Sequence, residues 1–302
     1  MKKITETVAL LVFLSFLITS LQQIGMVKAE STIFIDVDGN VVPSTAPIQR
    51  VEDVYTLTGD IDRIMVERNY TILDGNGHTL SGVFDAVFLR DVRNVTIKNL
   101  IITGGEVGIG LYRCSYIIVS NNTITGVSAP IPEVQTTAGI VVSGGGYNII
   151  TGNLITNNYG AIAIGNDAMH NIVFGNNVTD NIYGIRIGKA SDNTIQHNNF
   201  VNNSLHVDVG EDSNNIIWDN GEEGNYWSNY TGTDDNGDGI GDSPYIIDES
   251  NQDNYPLVNV IPEFPSWTIL PLLITTILLI LIYKKRLPKR HQNQKKSFIL
   301  GD

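Results

Sequence analysis

One repeat governs what this chain can fold into. From residue 94 onward it runs N-x-(V/I)-x-x-N-x-(I/V/F)-x-x-(N/G), with full copies at Asn148–Asn158, Asn171–Asn181 and Asn193–Asn203. Two looser copies, at 94–104 and 116–126, precede them, and a partial one at 215–220 follows. The central asparagines are Asn99, Asn121, Asn153, Asn176, Asn198 and Asn220, at steps of 22, 32, 23, 22 and 22 residues. The long step holds the polar, proline-bearing stretch Ser128–Thr137, which reads as a surface loop inserted into one period. Helical repeats are longer than this, and Gly and Asn break the apolar runs too often for an amphipathic helix. A leucine-rich pattern is absent. The period predicts an all-β, right-handed, single-stranded parallel β-helix, about 22 residues per coil, with successive coils about 4.8 Å apart.

In such a stack the same residue in every coil faces the same neighbour. The column Asn99, Asn121, Asn153, Asn176, Asn198 and Asn220 is expected to point inward as a structural amide ladder. An unpaired buried amide costs about 1–3 kcal/mol, so each coil must keep its own. Gly104, Gly126, Asn158, Asn181 and Asn203 are expected at a left-handed corner, which Gly and Asn tolerate best. Ile118, Ile150, Val173, Ile195 and Ile217 form one expected inward file, and Ile101, Ile155, Val178 and Phe200 another. A further strand precedes each motif, and its alternation sets Arg186 and Asp208 outward on adjacent coils, as a solvated ion pair.

The ends carry other signals. Lys2 and Lys3, the apolar run Val8–Ile18 and Val27-Lys28-Ala29 read as a secretory signal over residues 1–29. Trp267–Tyr283 is uncharged, bounded by aromatics and followed by Lys284, Lys285 and Arg286; it reads as a transmembrane helix whose basic tail, residues 284–302, is cytoplasmic. Between these ends we expect an N-terminal cap at 30–66, the β-helix at 67–220, a C-terminal cap at 221–258 and a linker at 259–266. Residues 30–266 carry 9 Lys/Arg against 30 Asp/Glu, which argues against nucleic acid as a partner. The lone Cys114 excludes an internal disulfide.

The C-terminal cap is rich in aromatics, Trp218, Tyr226, Trp227 and Tyr230, expected to close the core. Beyond them, Asp234, Asn236, Asp238 and Asp242 fall at loop positions 1, 3, 5 and 9, with Gly239 at the sharp turn and the Ile240 carbonyl between. That spacing suits Ca²⁺, although Tyr245 stands where a closing glutamate is usual. A solvated acidic turn is the alternative.

The phrase LDGNGHTLSG (73–82), the asparagine coils and GNYWSNYTGTDDNGDGIGDSPYIID (224–248) resemble NosD-like proteins, within the wider group of β-helical carbohydrate-binding proteins and sugar hydrolases. Pro262-Glu263-Phe264-Pro265 and the following anchor resemble archaeal surface-sorting signals, which implies an exported cell-surface protein and sortase-like processing. The resemblance to NosD implies copper, but His78, His170, His197 and His206 occupy different repeat positions, and neither Cys114 nor Met169 stacks with them; surface or turn histidines are the better reading. The expected function is non-catalytic binding or display on a cell-surface polysaccharide. A polysaccharide lyase or hydrolase and a metal-handling protein are the alternatives. Outward acids clustered with arginine on one strand face would mark an enzyme, converging histidines copper, and exposed aromatics binding.

Overall fold

The computed structural model describes residues 32–128 and 137–262. The expected signal segment, the membrane span Trp267–Tyr283 and the basic tail lie outside them. The described chain is a right-handed all-β solenoid of about seven turns, with no helix. Three sheets of nine, eight and seven strands run its length. Apart from an antiparallel edge pair in the nine- and eight-stranded sheets, neighbouring strands are parallel and one coil apart, such as Ile149–Thr151 beside Ile172–Phe174 and then Thr194–Gln196. Parallel stacking already begins with Thr32–Ile35 on Arg63–Val66 and Val54–Leu57 on Ile72–Asp74.

Each coil turns at three corners built alike: a left-handed residue, then a buried one. Over the regular coils the pairs are Tyr147-Asn148, Gly152-Asn153 and Asn157-Asn158, then His170-Asn171, Gly175-Asn176 and Asp180-Asn181. The turn therefore contains three amide files, not one. Asn148, Asn171 and Asn193 form the first, and Asn158, Asn181 and Asn203 the third. The middle file runs Asn122, Asn153, Asn176, Asn198 and Asn225. Asn176 shows the bonding. Its backbone N–H and Nδ2 both donate to Asn198 Oδ1, at 3.0 and 2.9 Å, and Nδ2 also donates to the Ile150 carbonyl. Every donor and acceptor of the amide is satisfied in the dry interior.

Three of the residues expected in this ladder lie elsewhere. Asn99 and Asn121 occupy the left-handed position itself, with φ of 56° and 54°, one residue before the buried Leu100 and Asn122. Asn220 is exposed, and its Oδ1 caps the N–H groups of Glu222 and Glu223. A one-residue slip reverses which side chains face inward. Ile101, Ile118 and Ile217 accordingly lie outside, while Ile102, Val119 and Trp218 are buried. At the third corner the same slip moves Asn158, Asn181 and Asn203 inward; Asn157, Asp180 and Asn202 take the left-handed corner that Gly104 and Gly126 hold in earlier coils.

The core closes on aromatic rings. Trp227 stacks between Phe200, at 4.6 Å, and Tyr245, at 4.5 Å, with Trp218 tilted beside it. Below them lies a fully buried carboxylate, Asp253, whose Oδ2 accepts from the Asn225 N–H at 2.7 Å and from Trp227 Nε1 at 2.9 Å. It ends the middle amide file. Only glycine fits at 224, where a Cβ would lie 1.8 Å from Asp253 Oδ1. Burial raises the Asp253 carboxyl above the ordinary aspartate range, against the pull of its hydrogen bonds. The folded chain thus holds this proton more tightly than the unfolded one, and stability falls as pH rises through the interval between the two pKa values. Asp253→Asn cannot ionise and escapes that loss. Its melting temperature, relative to the parent chain, is expected to climb between about pH 3.5 and pH 7; a constant difference would contradict the shift.

Candidate functional site

The outer surface departs from the bland pattern in two places. The first is a ridge at the corner between the nine- and eight-stranded sheets. Its left-handed position is held in successive coils by Tyr70, Asn94, Tyr116, Tyr147, His170, Asp192 and Asn215. A left-handed conformation costs a residue with a Cβ about 1–2 kcal/mol, which makes Gly and Asn the economical choices. Tyr116 and Tyr147 are nonetheless more than half exposed, stacked at 5.3 Å with planes 8° apart, and His170 follows at 5.0 Å. A line of three rings therefore faces water along the solenoid axis. At the next corner His197 stacks on Phe174 at 5.1 Å and pairs with Glu223 at 3.1 Å.

The second place is the outer face of the nine-stranded sheet in its early coils. Phe88, on strand Asp85–Arg90, lies tilted by 31° against Tyr112 of strand Val107–Ser115, with ring centres 5.1 Å apart. The Arg63 and Arg90 guanidiniums lie over Phe88, at 5.8 and 5.2 Å from its ring centre. Tyr112 donates to Asp85 Oδ2 at 2.9 Å and packs against a small external apolar cluster of Val107, Ala138 and Val141. Desolvation raises the Asp85 carboxyl, with Glu106 adding like-charge repulsion, and it raises the Tyr112 hydroxyl as well. None of these residues belongs to the asparagine motif. The usable signal was their spacing: Phe88 and Gly110 pair one coil apart, 22 residues along the chain, as do Arg90 and Tyr112.

Among the sequence candidates, Arg186 and Asp208 face outward in register and pair at 3.1 Å. In the acidic loop, Asp234 Oδ1 accepts from the N–H groups of Gly237 and Asp238, and Oδ2 from Gly239. Asp238 Oδ1 accepts from Ile240 N–H, and Asp242 Oδ2 from Asp235 N–H and Thr233. Asn236 donates to Asp238. These loop oxygens are bonded to the loop's own donors.

Among the described residues the histidines do not converge. His78 pairs with Asp60, His170 and His197 hold corners, and His206 corrects the surface reading. His206 is buried on strand Leu205–Val209 beside a cleft of about 520 Å³, between Asn203 Nδ2 and Ser228 Oγ, each at 3.3 Å. Burial lowers its pKa by disfavouring the charged imidazolium. Cys114 is fully buried, and desolvation raises its thiol.

No curated protein matches this chain. The family described as "Periplasmic copper-binding protein (NosD)" matches residues 30–232. Among the described residues no group of three His, Cys, Asp or Glu side chains could hold a metal ion, so the copper in that description finds no ligand set there. What the match shares with the structure is the run of parallel coils, and on that ground the chain belongs to the NosD family of β-helix proteins.

Proposed function

We propose that this chain is an exported, membrane-anchored surface protein that binds a polysaccharide without cleaving it. The observation that carries the reading is the exposed ring file Tyr116, Tyr147 and His170. Rings kept at strained corners, where smaller residues would do, serve a purpose other than folding. A row of flat faces along a solenoid axis suits successive rings of a linear glycan. The uncharged segment Trp267–Tyr283 and its basic flank support the anchor.

The test is Tyr147→Gly in the full chain, assayed on a glycan array. Relief of the left-handed strain offsets the lost stacking, so stability is expected to change by less than about 1 kcal/mol. Glycan binding is expected to fall at least tenfold. Unchanged binding would remove the ridge from the reading.

A lyase or hydrolase is favoured by one observation, the grouping of Asp85 and Glu106 with Arg63 and Arg90. Binding stands first because the Asp85 carboxylate is already held by Tyr112, whose own proton burial makes harder to remove.

A further inference from the structure

The domain between residues 30 and 266 has nine cations against thirty acids, and it pairs most of them. Arg68 meets Asp53, Lys98 meets Asp74, Arg113 meets Asp91, Arg186 meets Asp208 and Lys189 meets Asp167. Arg50 is bonded to the Gly39 and Glu52 carbonyls. Among the described residues, Arg63, Arg90 and Arg93 have no ion pair and no side-chain hydrogen bond; Arg93 is exposed, whereas Arg63 and Arg90 both sit on the same phenyl ring. Arg63 Nε is moreover withdrawn from water without an acceptor. A buried, unbonded N–H costs about 1–3 kcal/mol. In so acidic a domain, two guanidiniums kept free of carboxylates need an explanation. Asp85 accepts from the Tyr112 hydroxyl and feels both guanidiniums electrostatically, but forms an ion pair with neither.

We propose that Arg63 and Arg90, on the outer face of the nine-stranded sheet, bind the carboxylate of an acidic sugar. Guanidinium forks match a carboxylate's two oxygens. Arg90 is exposed and reaches the ligand first, and Arg63 lies under it across Phe88. The sugar hydroxyls meet the Tyr112 hydroxyl, one coil from Arg90, and the Asp85 carboxyl on Arg90's own strand. Tyr112 is fixed by its packing on Val107, Ala138 and Val141, so the polar group is set before the ligand arrives. This site is separate from the Tyr116–Tyr147–His170 ridge and does not rest on it.

Calorimetry of the full chain with tetragalacturonate, its methyl ester and acetate tests the site. The acid tetramer is expected to bind, with an affinity that falls as salt rises, and the uncharged ester to bind at least tenfold more weakly. Arg90→Gln is expected to lose at least tenfold with an unchanged melt, and Arg90→Lys, which keeps the charge without the fork, to fall between. Arg113→Gln, already paired elsewhere, is expected to bind the acid tetramer like the parent. The ridge offers flat ring faces that take acid and ester alike, so the difference between acid and ester separates this site from the ridge. Failure of the acid tetramer to bind, equal binding of acid and ester, or full binding by Arg90→Gln would overturn the proposal. Acetate binding as tightly as the tetramer would overturn its sugar part.

Discussion

Asn176→Ala is expected to lower the unfolding free energy by about 3 kcal/mol, against about 1 kcal/mol or less for Asn177→Ala. Asn176 sits in the centre of the middle file. Its truncation strips the Asn153 N–H and Nδ2 of their shared acceptor and leaves the Ile150 carbonyl short of a donor, all in a dry interior. Asn177 lies next to it but is only half-buried, bonded to Asn199, and water replaces what its side chain loses. Denaturant unfolding of the two variants measures the contrast. Equal losses would mean that the file contributes no more than a surface amide.

Trp227→Ala is expected to cost about 3–5 kcal/mol, the range for removing a large buried aromatic side chain. The ring fills the end of the core between Phe200 and Tyr245, and its Nε1 is one of the donors to Asp253. Truncation opens a cavity and leaves a buried carboxylate less well held. Trp227→Phe keeps the stack and loses the bond to Asp253, so about 1–3 kcal/mol of the loss is expected to remain. Melting curves of the two variants separate packing from the hydrogen bond; a Phe variant as unstable as the Ala variant would place the whole effect in the bond.

The fold was legible because a solenoid applies one constraint in every coil. The inside–outside parity of the early coils was harder to read. Asn serves both in the left-handed corner and in the buried file, and in the pair Asn121-Asn122 the sequence offers both at once. Where the corner residue is Gly152 or Gly175 the ambiguity disappears, and Asn153 and Asn176 were placed directly. Asp253 gave no periodic signal; it occurs once and meets Asn225 from 28 residues away. The Arg63, Asp85, Arg90 and Tyr112 grouping was hidden similarly, since it lies in coils with few asparagines and is assembled by stacking rather than by a motif.

The middle amide file also has a direction. In each step the backbone and side-chain N–H groups of one coil point to the oxygen of the next, from Asn122 through Asn225. Bonds oriented alike polarise one another, and their dipoles add along the axis. The amide file therefore has an electropositive end, and that end is where Asp253 is buried. The pull of that end on the Asp253 carboxyl works against the burial that raises its pKa, in the sense in which a helix N-terminus favours an anion. A longer or shorter column would change how firmly it is held.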